Sequence, residues 1–308
     1  MREFRVYAPA KLNLYLDILE KRPDGYHNIK TLFEKIDLKD EIVVREKEKK
    51  GLEVKVEGPY QCPSGKDNIV YRAIQELFRV SNVDFGLEII VKKKIPVAGG
   101  LGGGSSDAAS VLRSINEKFG LGVSFDQLFS IAAKTGRDIP FFMLDAPFAI
   151  GKGAGEILEP VNINGSFTHI IARPNISIST KDMYKRWDEG NYRSEKIDIG
   201  EIVRMLQKRD LTLLRKTCYN IFDQIETQSR PFIEKVKLVL EKAGAGPSCL
   251  SGSGPTVFCT VKDKDEAGHI LKNIPMDKGI DIFLAATYKG GIYGDNRSQD
   301  ISKGRVEQ

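Results

Sequence analysis

An α+β fold of two domains is what this sequence predicts, and three observations predict it. Short alternating or β-branched runs open the chain, and amphipathic helical periodicities follow them. Strands and helices then interleave without a strict βαβ rhythm or an internal repeat. A length of 308 residues exceeds the ~100–200 residues of a typical domain and favours two units over one.

Residues 4–8, 12–19, 41–45, 52–57 and 87–92 read as strands separated by turn-forming residues. Asp67-Asn68 can cap a helix reaching about residue 80, because Ile69, Ala73, Ile74 and Leu77 recur on one face. Ser105 begins a second helix, and Ser124 with Gln127 offers a capping box for a third. Beyond Gly155 the pattern predicts a strand at 168–172 and helices near 181–188, 199–208 and 231–243. A strand at 256–261, a helix at 264–273 and a strand at 281–287 follow. The domains are expected to join within 152–166, giving 1–157 as the first and 158–289 as the second. Residues 290–308 lack periodicity and are expected to form a flexible tail.

Composition narrows the function. The 47 basic and 42 acidic residues are mixed along the chain, so the formal charge of +5 does not suggest a dedicated nucleic-acid binder. The densest basic runs, Arg45 to Lys50 and Lys92 to Lys94, are short. The second leads straight into a glycine-rich segment, where attraction of phosphate and simple solvation are equally good readings. Cys62, Cys218, Cys249 and Cys259 show no metal-ligand spacing and are expected as reduced, mostly buried thiols. Met1 to Arg5 carries both signs of charge without a signal-peptide core, and no apolar run approaches the ~18–20 residues of a membrane span. A soluble cytoplasmic protein with no membrane partner is expected, as a monomer or weak homodimer.

The glycine-rich segment is Pro96-Val97-Ala98-Gly99-Gly100-Leu101-Gly102-Gly103-Gly104-Ser105-Ser106. Set between a strand and a helix, its five glycines let backbone N–H groups crowd a phosphate without Cβ interference. The helix N-terminus adds unpaired donors and its positive dipole end. A flexible linker is the bland alternative, and the flanking elements argue against it. The segment is no Walker A loop, since Ser105 stands where that motif needs lysine, and it lacks the third glycine of a dinucleotide fingerprint. Ser105 and Ser106 can cap the helix, or reach a phosphate or its metal.

Two further motifs, Ala8-Pro9-Ala10-Lys11-Leu12-Asn13 and Leu250-Ser251-Gly252-Ser253-Gly254-Pro255-Thr256-Val257-Phe258, flank this loop. In order and spacing the three resemble the signatures of the GHMP kinases (galactokinase, homoserine, mevalonate and phosphomevalonate kinases). Arg22-Pro23-Asp24-Gly25-Tyr26-His27 and Gly136-Arg137-Asp138-Ile139-Pro140-Phe141-Phe142 are similar to the R-x-D-G-Y-H and G-x-D-x-P-F-F signatures of one branch. That branch phosphorylates a cytidine diphospho-polyol in the non-mevalonate route to isoprenoid precursors. Arg137 replaces a small residue common there, and Gly99 sits where alanine is frequent. Neither change touches a group expected to do chemistry.

The resemblance implies an S5-like N-terminal domain, a ferredoxin-like C-terminal domain and a site between them. It implies ATP and Mg²⁺ as cofactors, without identifying the metal's protein ligands, and transfer of the γ-phosphoryl to the 2-hydroxyl of a methylerythritol unit. Asp138 would accept or orient that hydroxyl's proton, although capping a short helix is the simpler reading of its position. Lys11 would lie beside Asp138, whereas a lysine in an alternating strand usually faces solvent. Asn13 shares the strand face of Lys11 and would contact the acceptor. Tyr26 would stack on cytosine and His27 bond its edge, with surface exposure as the alternative for both. Tyr184, four residues after Thr180 in the acceptor site, would close a sandwich with Tyr26, or else simply pack. Asn68 and Asn116 match adenine-pocket positions and read equally as a cap and an exposed helix residue. The turn at 251–256 would buttress the glycine loop. Another GHMP kinase, acting on mevalonate, homoserine or a sugar, has no use for Tyr26-His27. A non-catalytic nucleotide- or RNA-binding protein has none for Lys11 with Asp138.

Overall fold

The two strands expected at 4–8 and 12–19 are one, β1 (Glu3–Lys21), and it pairs antiparallel along its length with β2 (His27–Lys47). Their alternation breaks down because both faces are covered, and every residue from Ala8 to Ile18 is buried. The register shifts at Pro9/Ala10, Asn13/Tyr15 and Ile18/Glu20, and the first of these bulges accommodates the proline in mid-strand. The structure, a computed structural model, describes residues 1–194, 197–212, 219–275 and 279–290. The expected tail, apart from Gly290, lies outside them.

β3 (Gly51–Glu57) runs parallel to β4 (Gly86–Lys92), with α1 (Ile69–Ser81) as the crossover. After β4 come α2 (Gly103–Lys118), α3 (Phe125–Thr135), which carries the expected Ser124/Gln127 capping box, and the five-residue α4 (Ile139–Met143). β5 (Phe148–Lys152) and β6 (Ile157–Pro160) form a hairpin that the sequence reading missed, because Gly151, Gly153 and Gly155 mask the strand pattern.

The second half contributes β7 (Thr168–Pro174), α5 (Thr180–Glu189), α6 (Ile199–Lys208), β8 (Tyr219–Asn220) and α7 (Arg230–Lys242). β9 (Cys249–Leu250), β10 (Val257–Val261), α8 (Lys264–Asn273) and β11 (Ile280–Ala286) complete it. One sheet of seven strands has the order β3-β4-β2-β1-β8, with β5 also on β2 and β6 on β5. The other is four-stranded, β11-β7-β10-β9. This is the expected α+β architecture of two lobes.

Two hydrophobic cores follow. One packs α1 to α4 on the large sheet, and the other joins β1 and β2 to the second lobe's sheet and helices. β8, from the second half, adds to β1, so the lobes share backbone as well as side chains. At their seam the fully buried Glu34 and His169 approach to 3.0 Å, and Thr287 Oγ1 donates to Glu34 Oε1 at 2.6 Å. Among the described residues Glu34 Oε2 and His169 Nε2 make no hydrogen bond, so the bond that fixes one lobe on the other at this point is the one from Thr287. Cys62 is a free thiol, but Cys249 is disulfide-bonded. The expectation of four reduced thiols fails there, because sequence spacing says nothing about which cysteines meet across the fold. Among the described residues, no helix is long and apolar enough to cross a membrane.

Candidate active site

A cavity of about 450 Å³ opens between the lobes, and residues 96–105 of the glycine loop all line it. Ser106 does not. It is fully buried, and its Oγ has no hydrogen-bond partner. The loop turns through left-handed backbone at Ala98, Gly100 and Gly102. Helix α2 begins at Gly103, two residues before the expected Ser105, with Gly102 at its N-cap and no side-chain capping bond. Neither serine caps it, because a left-handed glycine already turns the chain into the helix. The first-turn N–H groups keep no side-chain acceptor, which is the arrangement that binds an anion.

Two anchors hold the loop. Lys11 N donates to Leu101 O at 2.9 Å from β1, and Ser251 Oγ donates to Gly100 O at 3.1 Å from the second lobe. Beneath it lies a cluster that sequence reasoning missed. Lys93, 2% exposed, donates to Asp40 Oδ2 and, at 2.9 Å, to Asp107 Oδ2. Asp40 Oδ1 accepts from the N–H groups of Lys94 and Ile95, so one carboxylate pins the loop's entry while Lys93 ties it to α2. Burial disfavours the Lys93 ammonium, but Asp107 and Asp40 outweigh it and hold its pKa above the ordinary value. Burial, and then Asp40, push the Asp107 carboxyl well up. Asp107 Oδ1 has no hydrogen-bond partner. The only sequence signal was the short basic run, and Asp40 belongs to no motif.

Asp138 stands at the N-cap of α4 as the sequence allowed, yet its side chain makes no capping hydrogen bond, and the residue lines the cavity. Lys11 lines it too and is 4% exposed instead of facing solvent. Burial lowers the Lys11 pKa, and the charge of Asp138 works against that shift. Lys11 Nζ donates to Asn13 Oδ1, while Asn13 Nδ2 donates to Thr31 Oγ1 at 2.8 Å. β1 therefore supplies an ammonium and an amide, and the start of α4 a carboxylate, to the same cavity wall as the glycine loop.

Thr180 and Tyr184 line the cavity from α5, and Thr180 Oγ1 lies 2.7 Å from Ser253 Oγ. Burial and the nearby Asp138 raise the Tyr184 phenol's pKa. Its ring stacks on His27 at 4.7 Å and meets Phe222 edge-on at 5.1 Å. His27 is buried behind it, with Nε2 2.7 Å from Asp188 Oδ1, so it props Tyr184 and does not line the cavity. Tyr26 is 47% exposed, lies outside the lining and packs under Arg137. Tyr184 thus reaches the cavity wall, while Tyr26 packs against Arg137 on the hairpin.

Asn68 lines the cavity and also caps α1, its Oδ1 accepting from Val70 N at 2.8 Å. Asn116 does not line it. Its amide donates to Val123 O and accepts from Val123 N, closing the turn after α2. The amide of Asn116 is thus engaged in that turn, three helical turns along α2 from Ser105. Asn116→Ala should lower unfolding stability by about 1–3 kcal/mol and leave the KM for ATP unchanged. Urea unfolding and initial rates would check this, and a raised KM at full stability would restore Asn116 to the site.

Residues 68–150 match the family described as GHMP kinases N terminal domain, and residues 202–276 match GHMP kinases C terminal. A protein of Citrifermentans bemidjiense named 4-diphosphocytidyl-2-C-methyl-D-erythritol kinase is 37% identical, over 91% of this chain and 97% of its own length. One of Geobacter metallireducens with the same name is 36% identical, over 89% and 95%. A solved structure titled as a 4-(cytidine 5'-diphospho)-2C-methyl-D-erythritol kinase superposes with a TM-score of 0.77 at 27% identity, covering 93% of this chain and all of that one. By identity, coverage and fold together, the chain belongs to the 4-diphosphocytidyl-2-C-methyl-D-erythritol kinase family of the GHMP kinases.

Proposed function

We propose that the chain transfers the γ-phosphoryl group of ATP to the 2-hydroxyl of 4-diphosphocytidyl-2-C-methyl-D-erythritol, releasing ADP. The observation that carries this reading is Asp138, at a helix start where its side chain makes no cap, in a cavity shared with Lys11 and the glycine loop. The acceptor oxygen bonds to the γ-phosphorus as the bond to ADP breaks, and Asp138 takes or orients the hydroxyl proton. Lys11 faces Asp138 and holds the acceptor hydroxyl beside it, and Asn13 holds Lys11 in place. Backbone N–H groups of residues 99–105 cradle the phosphates. Catalysis of this kind rests mainly on positioning and charge stabilisation.

Mg²⁺ fits the residues present. Asp107 is the carboxylate that would hold it beside substrate phosphates: the residue lines the cavity and its buried Oδ1 makes no hydrogen bond among the described residues, and a bound cation would oppose the upward push that burial and Asp40 give its pKa. When bound, the ion neutralises charge on the β- and γ-phosphates. The lobe of residues 1–157 holds the nucleotide, and residues 158–289 close the acceptor side through Thr180, Tyr184 and the 251–256 turn. The cytidine end docks on Tyr184.

ADP release measured with the cytidine diphospho-acceptor, mevalonate, homoserine and galactose tests the reading. The cytidine compound should be turned over fastest, and faster turnover of any other acceptor would overturn the assignment.

A further inference from the structure

Lys35 and Lys11 are directly opposed in the pairing of β1 with β2, so their side chains rise from one face of the sheet. Lys11 belongs to the site described above, whereas Lys35 is 6% exposed and lies outside the cavity lining. Two rings stand between them. Lys11 Nζ lies 5.4 Å from the centroid of Phe33, Phe33 stacks on Phe141 at 4.7 Å, and Lys35 Nζ lies 5.3 Å from the centroid of Phe141. Phe141 belongs to α4, so the stack ties that helix to β2. Lys35 Nζ also donates to the carbonyl of Leu144, the C-cap of α4, and Arg113 Nη1 donates to Met143 O at 3.2 Å. Two cations thus take up carbonyls at the negative end of a helix whose other end carries Asp138. The backbone of Lys35 is itself held from both sides: its N–H donates to Pro147 O at 2.8 Å, and its carbonyl accepts from Tyr288 N at 2.8 Å.

A helix of five residues has too few internal bonds to fix its own position, so α4 stands where its neighbours put it. A buried lysine is destabilising in itself. Burial, and then the charge of Arg113, bring the Lys35 pKa down to about 7 against the opposing effect of Asp145, whereas an apolar side chain of that length has no charge to desolvate. We propose that Lys35 is a positioning residue for phosphoryl transfer, fixing the C-terminal end of α4 and through it the place of Asp138 in the cavity. The proposal rests on the role given to Asp138 in the function proposed above. It gives Lys35 no contact with either substrate, so the loss of Lys35 acts through Asp138 alone.

A double-mutant cycle on initial rates tests this, run with whichever of the four acceptors wild type turns over fastest. Lys35→Met should lower kcat about 10- to 100-fold, the cost of displacing a reacting group by up to about 1 Å, with the KM for ATP within about 2-fold of wild type. Lys35→Arg, which keeps a cation over Phe141 and a donor for Leu144 O, should recover most of the rate. In the Asp138→Asn background, Lys35→Met should cost no further kcat, because the group that Lys35 places is already gone. Lys35→Gln, which keeps a shorter donor without the charge, carries the same cycle should the methionine variant fail to fold. A wild-type kcat in Lys35→Met would overturn the proposal, and so would an equal loss in both backgrounds, which is what general damage to the fold produces. If Asp138→Asn itself kept the wild-type kcat, the role of Asp138 in the proposed function would fall, and this proposal with it.

Discussion

Asp138→Asn is expected to lower kcat by about 10²- to 10⁴-fold with little change in the KM for ATP. Asparagine keeps the size and the N-cap competence of aspartate, so α4 should form as before. What it removes is the negative charge that Lys11 faces and the lone pair that takes the hydroxyl proton. The wild-type side chain makes no capping bond, so the helix has little to lose. Steady-state rates at saturating ATP and acceptor, compared with the thermal midpoint, decide the matter. An unchanged kcat with a lowered midpoint would mean that Asp138 serves the helix and that the chemistry lies elsewhere. Phosphoryl transfer leans on positioning, so a loss at the small end of the range still fits a residue that mainly orients the hydroxyl.

Local signals in the sequence were read well where one element's own chemistry decides the outcome. The Ser124 capping box, the Asn68 cap and helices 199–208 and 264–273 are such cases. Length and continuity were lost where tertiary burial overrides alternation, so β1 looked like two strands and most of β2 was invisible. The glycine loop, Lys11 and Asp138 were legible because chemistry constrains them within short motifs. The cluster under the loop was not, since Asp40 and Asp107 approach Lys93 only after β2, β4 and α2 pack. A helical asparagine looks alike whether it points at a ligand or at the next turn, and the bonds of Asn116 to Val123 have no signature in its spacing. The aromatic site was half legible. Tyr184 reached the cavity, but the partners of Tyr26 and His27 are Arg137 and Asp188, which the spacing of those residues could not reveal.

Gly100→Ala is the second substitution with a large expected effect, about 100-fold in kcat/KM for ATP. The backbone at Gly100 has φ +76°, and an added Cβ would lie 2.1 Å from Ser251 O and 3.0 Å from Ser251 C. The obstacle is backbone and cannot rotate away. Nor can the turn retreat: Asn220 Nδ2 donates to Leu250 O at 2.7 Å and to Gly252 O at 2.8 Å, and Ser251 N donates to Thr256 O at 2.9 Å. The glycine loop must move instead, by about 1 Å, and a displacement of that size in a positioning element costs on the order of 100-fold in rate. It also strains the bond from Lys11 N to Leu101 O, so both anchors feel the change. Left-handed strain alone would cost a non-glycine residue only about 1–2 kcal/mol. Gly120→Ala isolates that term, because Gly120 has φ +61° with nothing within 4 Å of an added Cβ, in a turn away from the cavity. It should lose stability and keep its kcat/KM. If Gly100→Ala matched Gly120→Ala in both measurements, the contact between the second lobe and the loop would be packing without consequence for the nucleotide. A kinetic loss confined to Gly100→Ala would show that the second lobe sets the geometry of the phosphate cradle.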